Sequence, residues 1–204
     1  MFERNNLLQS LKAIGLNPAK DIFTQLAVAY EQPNRHYHNQ SHIANCLKLA
    51  NCFTSLAQYR HEIEIALWFH DAVYDPRRND NEEASALWAS CYLSDEGVAN
   101  ESLTRITDMI LATKHHHPCD GDAALVIDID LAILGSDPNR FEEYDKAIRK
   151  EYVWVPSAEY RIGRQRVLAK FLQRETIFLT DVFQATFEQK ARQNILRKLH
   201  EMNT

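Results

Sequence analysis

An all-α bundle with a helical C-terminal extension is the architecture this sequence predicts, and three observations predict it. Apolar residues recur at helical spacing along nearly the whole chain. Only 5 Gly and 6 Pro occur in 204 residues, too few to punctuate a strand-and-turn fold. Helix starts are marked by Asn17-Pro18, Asp137-Pro138 and Pro156-Ser157, where a proline near the first turn gives up an amide that has no helical acceptor.

Taken in order, the pattern predicts about nine helices, over 4–14, 18–31, 40–57, 61–74, 80–94, 101–115, 122–134, 138–153 and 157–200. The second opens at Asn17-Pro18. The third carries Ile43, Cys46, Leu47 and Ala50 on one face, and the fourth is apolar through Ile63, Ile65, Ala66, Leu67, Trp68 and Phe69. The fifth starts near Asn81 and stops before Gly97, and the sixth ends at His115-His116-His117, ahead of Pro118. Ala124-Leu125-Val126-Ile127 has strand propensity, but the apolar run continues through Leu131, Ile133 and Leu134, which favours a buried helix between Gly121 and Gly135. The last helix is expected to break near Glu175-Thr176, and Arg192, Arg197 and Lys198 on it read as a solvated face. Residues 1–204 form one domain in this reading, with a core at about 30–136 and a helical extension at about 137–204.

Composition narrows the function. Hydrophobic residues make up 45%, enough for a packed core. A net charge of −5 lacks the broad positive field of a nucleic-acid surface, so no large interface of that kind is expected. No apolar run approaches the roughly 20 residues that span a bilayer. Met1-Phe2-Glu3-Arg4-Asn5 has no signal-peptide layout, and Cys46, Cys52, Cys91 and Cys119 form no C-x-x-C pair. A reduced cytoplasmic protein is the expectation.

The chemistry concentrates in the histidines and in carboxylates that interrupt apolar runs. One cluster is Arg35-His36-Tyr37-His38-Asn39-Gln40-Ser41-His42; another is Lys114-His115-His116-His117. Between them, His70-Asp71 follows an apolar helix, and further on Asp128 and Asp130 interrupt another apolar run. An ionised carboxylate in such a place needs a partner, and a cation is one. A core His–Asp hydrogen bond is the structural alternative. Residues two apart on a helix point to different faces, so one of Asp128 and Asp130 is expected inward and the other at a cap or the surface. Two imidazoles and two carboxylates make a mixed N/O set suited to octahedral Mn²⁺, Fe²⁺, Co²⁺, Ni²⁺ or Mg²⁺ rather than a closed structural zinc site.

The order His42, His70-Asp71, Asp130 resembles the H…HD…D signature of the HD superfamily of metal-dependent phosphohydrolases. The words around it resemble one bacterial branch of predicted metal-dependent HD phosphohydrolases: Tyr37-His38-Asn39…His42-Ile43, Trp68-Phe69-His70-Asp71-Ala72-Val73-Tyr74, Asn81-Glu82…Ser85-Ala86, Thr113-Lys114-His115-His116 and Asp128-Ile129-Asp130-Leu131…Leu134-Gly135. Arg149-Lys150-Glu151-Tyr152 and Gly163-Arg164…Val167-Leu168…Phe171-Leu172 extend the likeness over most of residues 30–200. The resemblance implies an HD-domain-like bundle. It also selects His42 over His38 as first ligand, because the family's first histidine leads a helix with apolar residues facing the core. Asp130 is preferred to Asp128 because Leu131 follows it. The implied metal set is therefore His42, His70, Asp71 and Asp130.

Other residues take expected roles around that set. His38 is expected to face substrate or support a ligand. Asp71 is expected to help accept a proton, with Glu82 and His116 assigned to water positioning and leaving-group protonation. Lys114, Arg149, Tyr152 and Arg164 are candidates for phosphate binding, with Arg161 beside them; ion pairing with Glu142, Glu143 or Glu151 is the structural alternative. The implied activity is hydrolysis of a nucleotide or other small phosphate ester by a water activated on the cation. Two further classes fit the same motif: a di-iron oxygenase, with His115 to His117 supplying a second iron, and a non-catalytic ligand-binding module.

Overall fold

The computed structural model describes residues 2–19, 21–116 and 121–203, and every regular element among them is helical. The chain divides into two compact units, Met1–Ile129 and Asp130–Thr204. No helix among the described residues is long and apolar enough to cross a membrane.

The first unit contains α1 (Arg4–Ala13), α2 (Ile22–Tyr30), α3 (Gln40–Cys52), α4 (Arg60–Phe69), α5 (Asn81–Asp95), α6 (Asn100–Ala112) and most of α7 (Gly121–Leu131). Its organising element is α4, which packs against α1, α3, α5 and α6. The sequence accounts for this. Ile63, Ile65, Ala66, Leu67, Trp68 and Phe69 put apolar groups on every face, and each is at most 2% exposed. A helix that is hydrophobic all round belongs in the middle of a bundle. Burying each large side chain stabilises the fold by about 1.5–3 kcal/mol.

Two glutamates on α4 are buried as well, and both have partners. Glu62 receives a forked pair of bonds from Arg105 of α6, both 2.6 Å. Glu64 accepts from Ser10 of α1 at 2.6 Å and from Arg60 at 2.9 Å, with His61 Nδ1 at 3.0 Å. Burial pushes the Glu64 carboxyl up, and the bonds from Ser10, Arg60 and His61 outweigh it, leaving it below its ordinary value. These carboxylates thus fix the register of α4 against α1 and α6.

Local chemistry departs from the sequence expectation at three places in this unit. The second helix starts at Ile22 rather than Pro18, because the Asp21 carboxylate caps it by accepting from Thr24 N at 3.2 Å. The fourth helix stops at Phe69, so His70 is its C-cap and Asp71 lies beyond it. The third ends at Cys52, with a 3₁₀ turn over Thr54–Leu56. The strand-like run Ala124–Ile127 is helical, within α7.

The second unit contains a 3₁₀ turn at Ala132–Gly135, α8 (Pro138–Glu151), α9 (Ser157–Leu172) and a C-terminal helix over 181–203 with one π turn at Gln184–Glu188. The expected break falls at 173–180 and is tied down by Glu188, whose carboxylate accepts from the amides of Ile177 and Phe178. The C-terminal cations are not simply a solvated face. Arg192 bonds to Glu188 and to the carbonyls of Leu172, Arg174 and Glu175, closing the exposed end of α9. Lys198 lies 3.0 Å from Glu142 and 3.1 Å from Asp145. Only Arg197 is exposed among the three. Gly135 is required for a different reason: a Cβ there would stand 2.6 Å from Phe187 Cβ and 2.7 Å from its carbonyl oxygen.

Two stability outcomes follow. Ser10→Ala removes a buried donor from Glu64 and should cost about 1–3 kcal/mol in urea unfolding. The Glu64 contribution is fully present above the ordinary carboxylate pKa of about 4.3 and is lost as pH falls through the lower folded value, so the deficit of Ser10→Ala should shrink in acid. Gly135→Ala forces backbone to move and should cost about 1–3 kcal/mol in the same assay.

Candidate metal centre

The centre is built where three helix termini present polar side chains. His42 is the third residue of α3. Its place is set by Asn39, which caps the helix by accepting from Ser41 N at 2.9 Å while donating to the His36 carbonyl at 3.0 Å. His42 is 4% exposed, under the ring of Tyr37 at 4.7 Å, with Cys46 Sγ 3.7 Å from its Nε2. His70 and Asp71 come from the end of α4. Asp130 is the penultimate residue of α7, one position past the division between the units. The start of α7 is anchored by Asp122, whose carboxylate accepts from the amides of Gln58 and Tyr59 at 2.8 and 2.7 Å.

One ligand atom from each of His42, His70, Asp71 and Asp130 lies within 4.8 Å of the others. Three of the separations are short: His42 Nε2 to His70 Nε2 3.2 Å, His70 Nε2 to Asp71 Oδ2 3.1 Å, and His42 Nε2 to Asp71 Oδ2 3.4 Å. Donors bound to one cation at about 2.1 Å stand about 3 Å apart when adjacent, so these three spacings are compatible with one shared cation.

Protonation makes the fit sharper. His70 Nδ1 lies 3.0 Å from the Leu67 carbonyl, which can only accept, so Nδ1 carries the hydrogen. Nε2 then faces Asp71 Oδ2, bearing a lone pair in the neutral ring and a second hydrogen in the protonated one. That oxygen is buried, with His70 Nε2 at 3.1 Å and His42 Nε2 at 3.4 Å. Converging lone pairs repel unless a proton or a metal cation sits among them. A backbone acceptor on the far nitrogen is also how ligand histidines are oriented in metal sites. Burial pushes the Asp71 carboxyl up, but the imidazoles of His70, His38 and His42 prevail and hold it well below the usual carboxylate range. It is therefore an anion, as a ligand must be.

No protein-family model, curated protein or solved structure matches this chain.

The remaining sequence candidates are distributed as follows. His38 is half-buried, stacked on Tyr74 at 4.1 Å and 6.0 Å from the His42 ring. Glu82, half-buried in the first turn of α5, is not one of the four clustered groups. Neither are His115, which is exposed, and His116, which is half-buried with φ at 49°. His117 lies outside the described residues. Lys114 donates to the Asn79 carbonyl at 2.6 Å and pairs with Glu83. Arg149 donates to the carbonyls of Tyr152 and Val155, and Tyr152 stacks on Trp154. Arg164 is buried against Asp145 at 2.9 Å, and Arg161 is exposed. Asp128 is fully buried, and Asp130, at the end of α7, is half-buried.

Sequence reasoning passed over the groups that hold the ligand-bearing loop. Ser85 Oγ accepts from Val73 N at 3.0 Å, while Asn81 accepts from Asp75 N at 3.0 Å and donates back to its carbonyl at 2.9 Å. The signal available was the pairing of a polar word, Asn81…Ser85, at one-turn spacing with a loop rich in turn residues.

A cation that binds only the folded state stabilises it by mass action. Mn²⁺ or Co²⁺ at about 1,000 times its Kd should therefore add about 4 kcal/mol to unfolding free energy. Thermal melts should show the gain in the native sequence and its loss in His42→Ala.

Proposed function

We propose that this chain is a metal-dependent phosphohydrolase of the HD type, acting on a small phosphate ester such as a nucleotide. The observation that carries the reading is the convergence of His42, His70, Asp71 and Asp130 in the family's order, with spacings that suit one cation. The wider resemblance, from Tyr37-His38-Asn39 to Asp130-Leu131, supports the same choice.

The four side chains hold the cation, two through imidazole nitrogen and two through carboxylate oxygen. When bound, a divalent cation supplies a Lewis acid for a phosphoryl oxygen and lowers the pKa of water. The chain supplies the rest. His70 is held in one tautomer by Leu67, so its Nε2 stays available without proton loss. Asp71 is kept anionic, as a cation ligand should be, and is assigned to help accept a proton as well. His38, braced on Tyr74 and half open to solvent, is assigned to the phosphoryl group of the substrate. Lys114, Arg149 and Arg164 already bond within the protein, so oxyanion binding by any of them requires those contacts to open.

The test is metal analysis of protein purified without chelator, followed by a screen of phosphate esters and nucleotides. The native protein should retain about one equivalent of divalent cation and turn over at least one phosphate ester. Asp71→Ala should lose both, while His38→Ala should keep the metal and lose activity by about 10²-fold or more. Full metal retention in Asp71→Ala would sink the ligand assignment. Metal retention with no turnover on any phosphate ester would leave a binding module.

A further inference from the structure

We propose that Arg35 is a positioning residue for the cation, fixing two of the ligand-bearing segments against each other. The proposal rests on the metal-binding reading of the site. Arg35 is 5% exposed, a depth at which an arginine needs hydrogen-bond partners. Its guanidinium donates to main-chain carbonyls on two segments of the site. Nη1 donates to the Asp71 carbonyl at 2.6 Å and to the His38 carbonyl at 3.3 Å, and Nη2 donates to the Ala72 carbonyl at 2.9 Å. Nε donates to Gln32 Oε1 at 3.3 Å.

These acceptors belong to different parts of the centre. Asp71 and Ala72 are the turn after α4 that carries the His70–Asp71 pair. His38 is in the loop that leads through the Asn39 cap into α3 and His42. One planar fork therefore spans both segments and sets where the Asp71 main chain stands relative to the His42 helix. The fork is itself held between rings, 5.2 Å from the Tyr30 centroid and 5.7 Å from that of Tyr74. Tyr30 in turn donates to the Trp68 carbonyl in α4 at 3.0 Å, and Tyr74 carries the stacked His38. A site for a small cation tolerates ligand displacements of only about 0.5 Å, so the clamp acts directly on affinity. A lysine keeps the charge but is a point donor without the fork, and cannot hold both carbonyl sets in one plane.

The experiment is Co²⁺ and Mn²⁺ titration of the full chain, native and Arg35→Lys, by calorimetry and by the visible Co²⁺ spectrum, with circular dichroism and metal-free melting alongside. Arg35→Gln is a second variant and Ser10→Ala is a control that weakens the fold away from the site. The expected result is folded Arg35→Lys or Arg35→Gln with Kd for Co²⁺ raised about 10- to 100-fold and an altered spectrum, while Ser10→Ala melts lower with native Kd. Native Kd and spectrum in a folded Arg35 variant would overturn the proposal. So would failure of both variants to fold, which would make Arg35 a residue of the fold rather than of the site. If the native protein itself binds neither cation, the metal-binding reading fails first, and that outcome is separable because it appears before any variant is compared.

Discussion

The hydrogen bond from His70 Nδ1 to the Leu67 carbonyl constrains everything around it. Formed within the last turn of α4, it places a hydrogen on Nδ1 and turns Nε2 toward His42 and Asp71. Two imidazole nitrogens and a carboxylate oxygen buried 3.1–3.4 Å apart need a proton or a cation among them. The fold tolerates the cluster because α4 is locked on all sides by apolar packing, and because the turn after it is held from Ser85, Asn81 and Arg35. Rigid support of this kind is what a metal site would draw on, because donors already brought together let a cation bind without reorganising them.

The same logic explains the buried charges on α4. A helix placed in the middle of a bundle has no solvated face, yet Glu62 and Glu64 sit on it. Arg105 satisfies the first, while Ser10, Arg60 and His61 satisfy the second. Since a misregistered α4 would strand an ionised carboxylate in the core, these pairs penalise alternatives more than they stabilise the native state. Register matters here because His70 and Asp71 follow directly from the end of that helix.

In the second unit, polar side chains do comparable work for the backbone. Asn194, 2% exposed, donates to the carbonyls of Leu134 and Ser136. Arg164, Asp145, Lys198 and Glu142 link α8, α9 and the C-terminal helix through ion pairs, and the close approach at Gly135 seats the 3₁₀ turn against Phe187. The cations that looked like oxyanion clamps or a solvated surface in the sequence are largely employed this way.

Periodicity, with the scarcity of Gly and Pro, determined that the chain is helical and placed the helices in order, though several ends fell four or five residues away, because apolar spacing of 3.6 is a local property written in consecutive side chains while helix ends are not. Motif order also identified His42, His70, Asp71 and Asp130 as one group. Caps were less legible: Pro18 advertised a start that the Asp21 carboxylate makes four residues later, since which polar side chain reaches the orphan amides depends on the path of the chain. Tertiary structure decided the rest. The spacing of the four donors, the tautomer of His70, the burial of Asp128 and the partners of Arg35, Lys114, Arg164 and Lys198 are relations between residues far apart in sequence. A charge has the same symbol in a sequence whether it meets water, a carboxylate or a carbonyl, and only folding chooses among them.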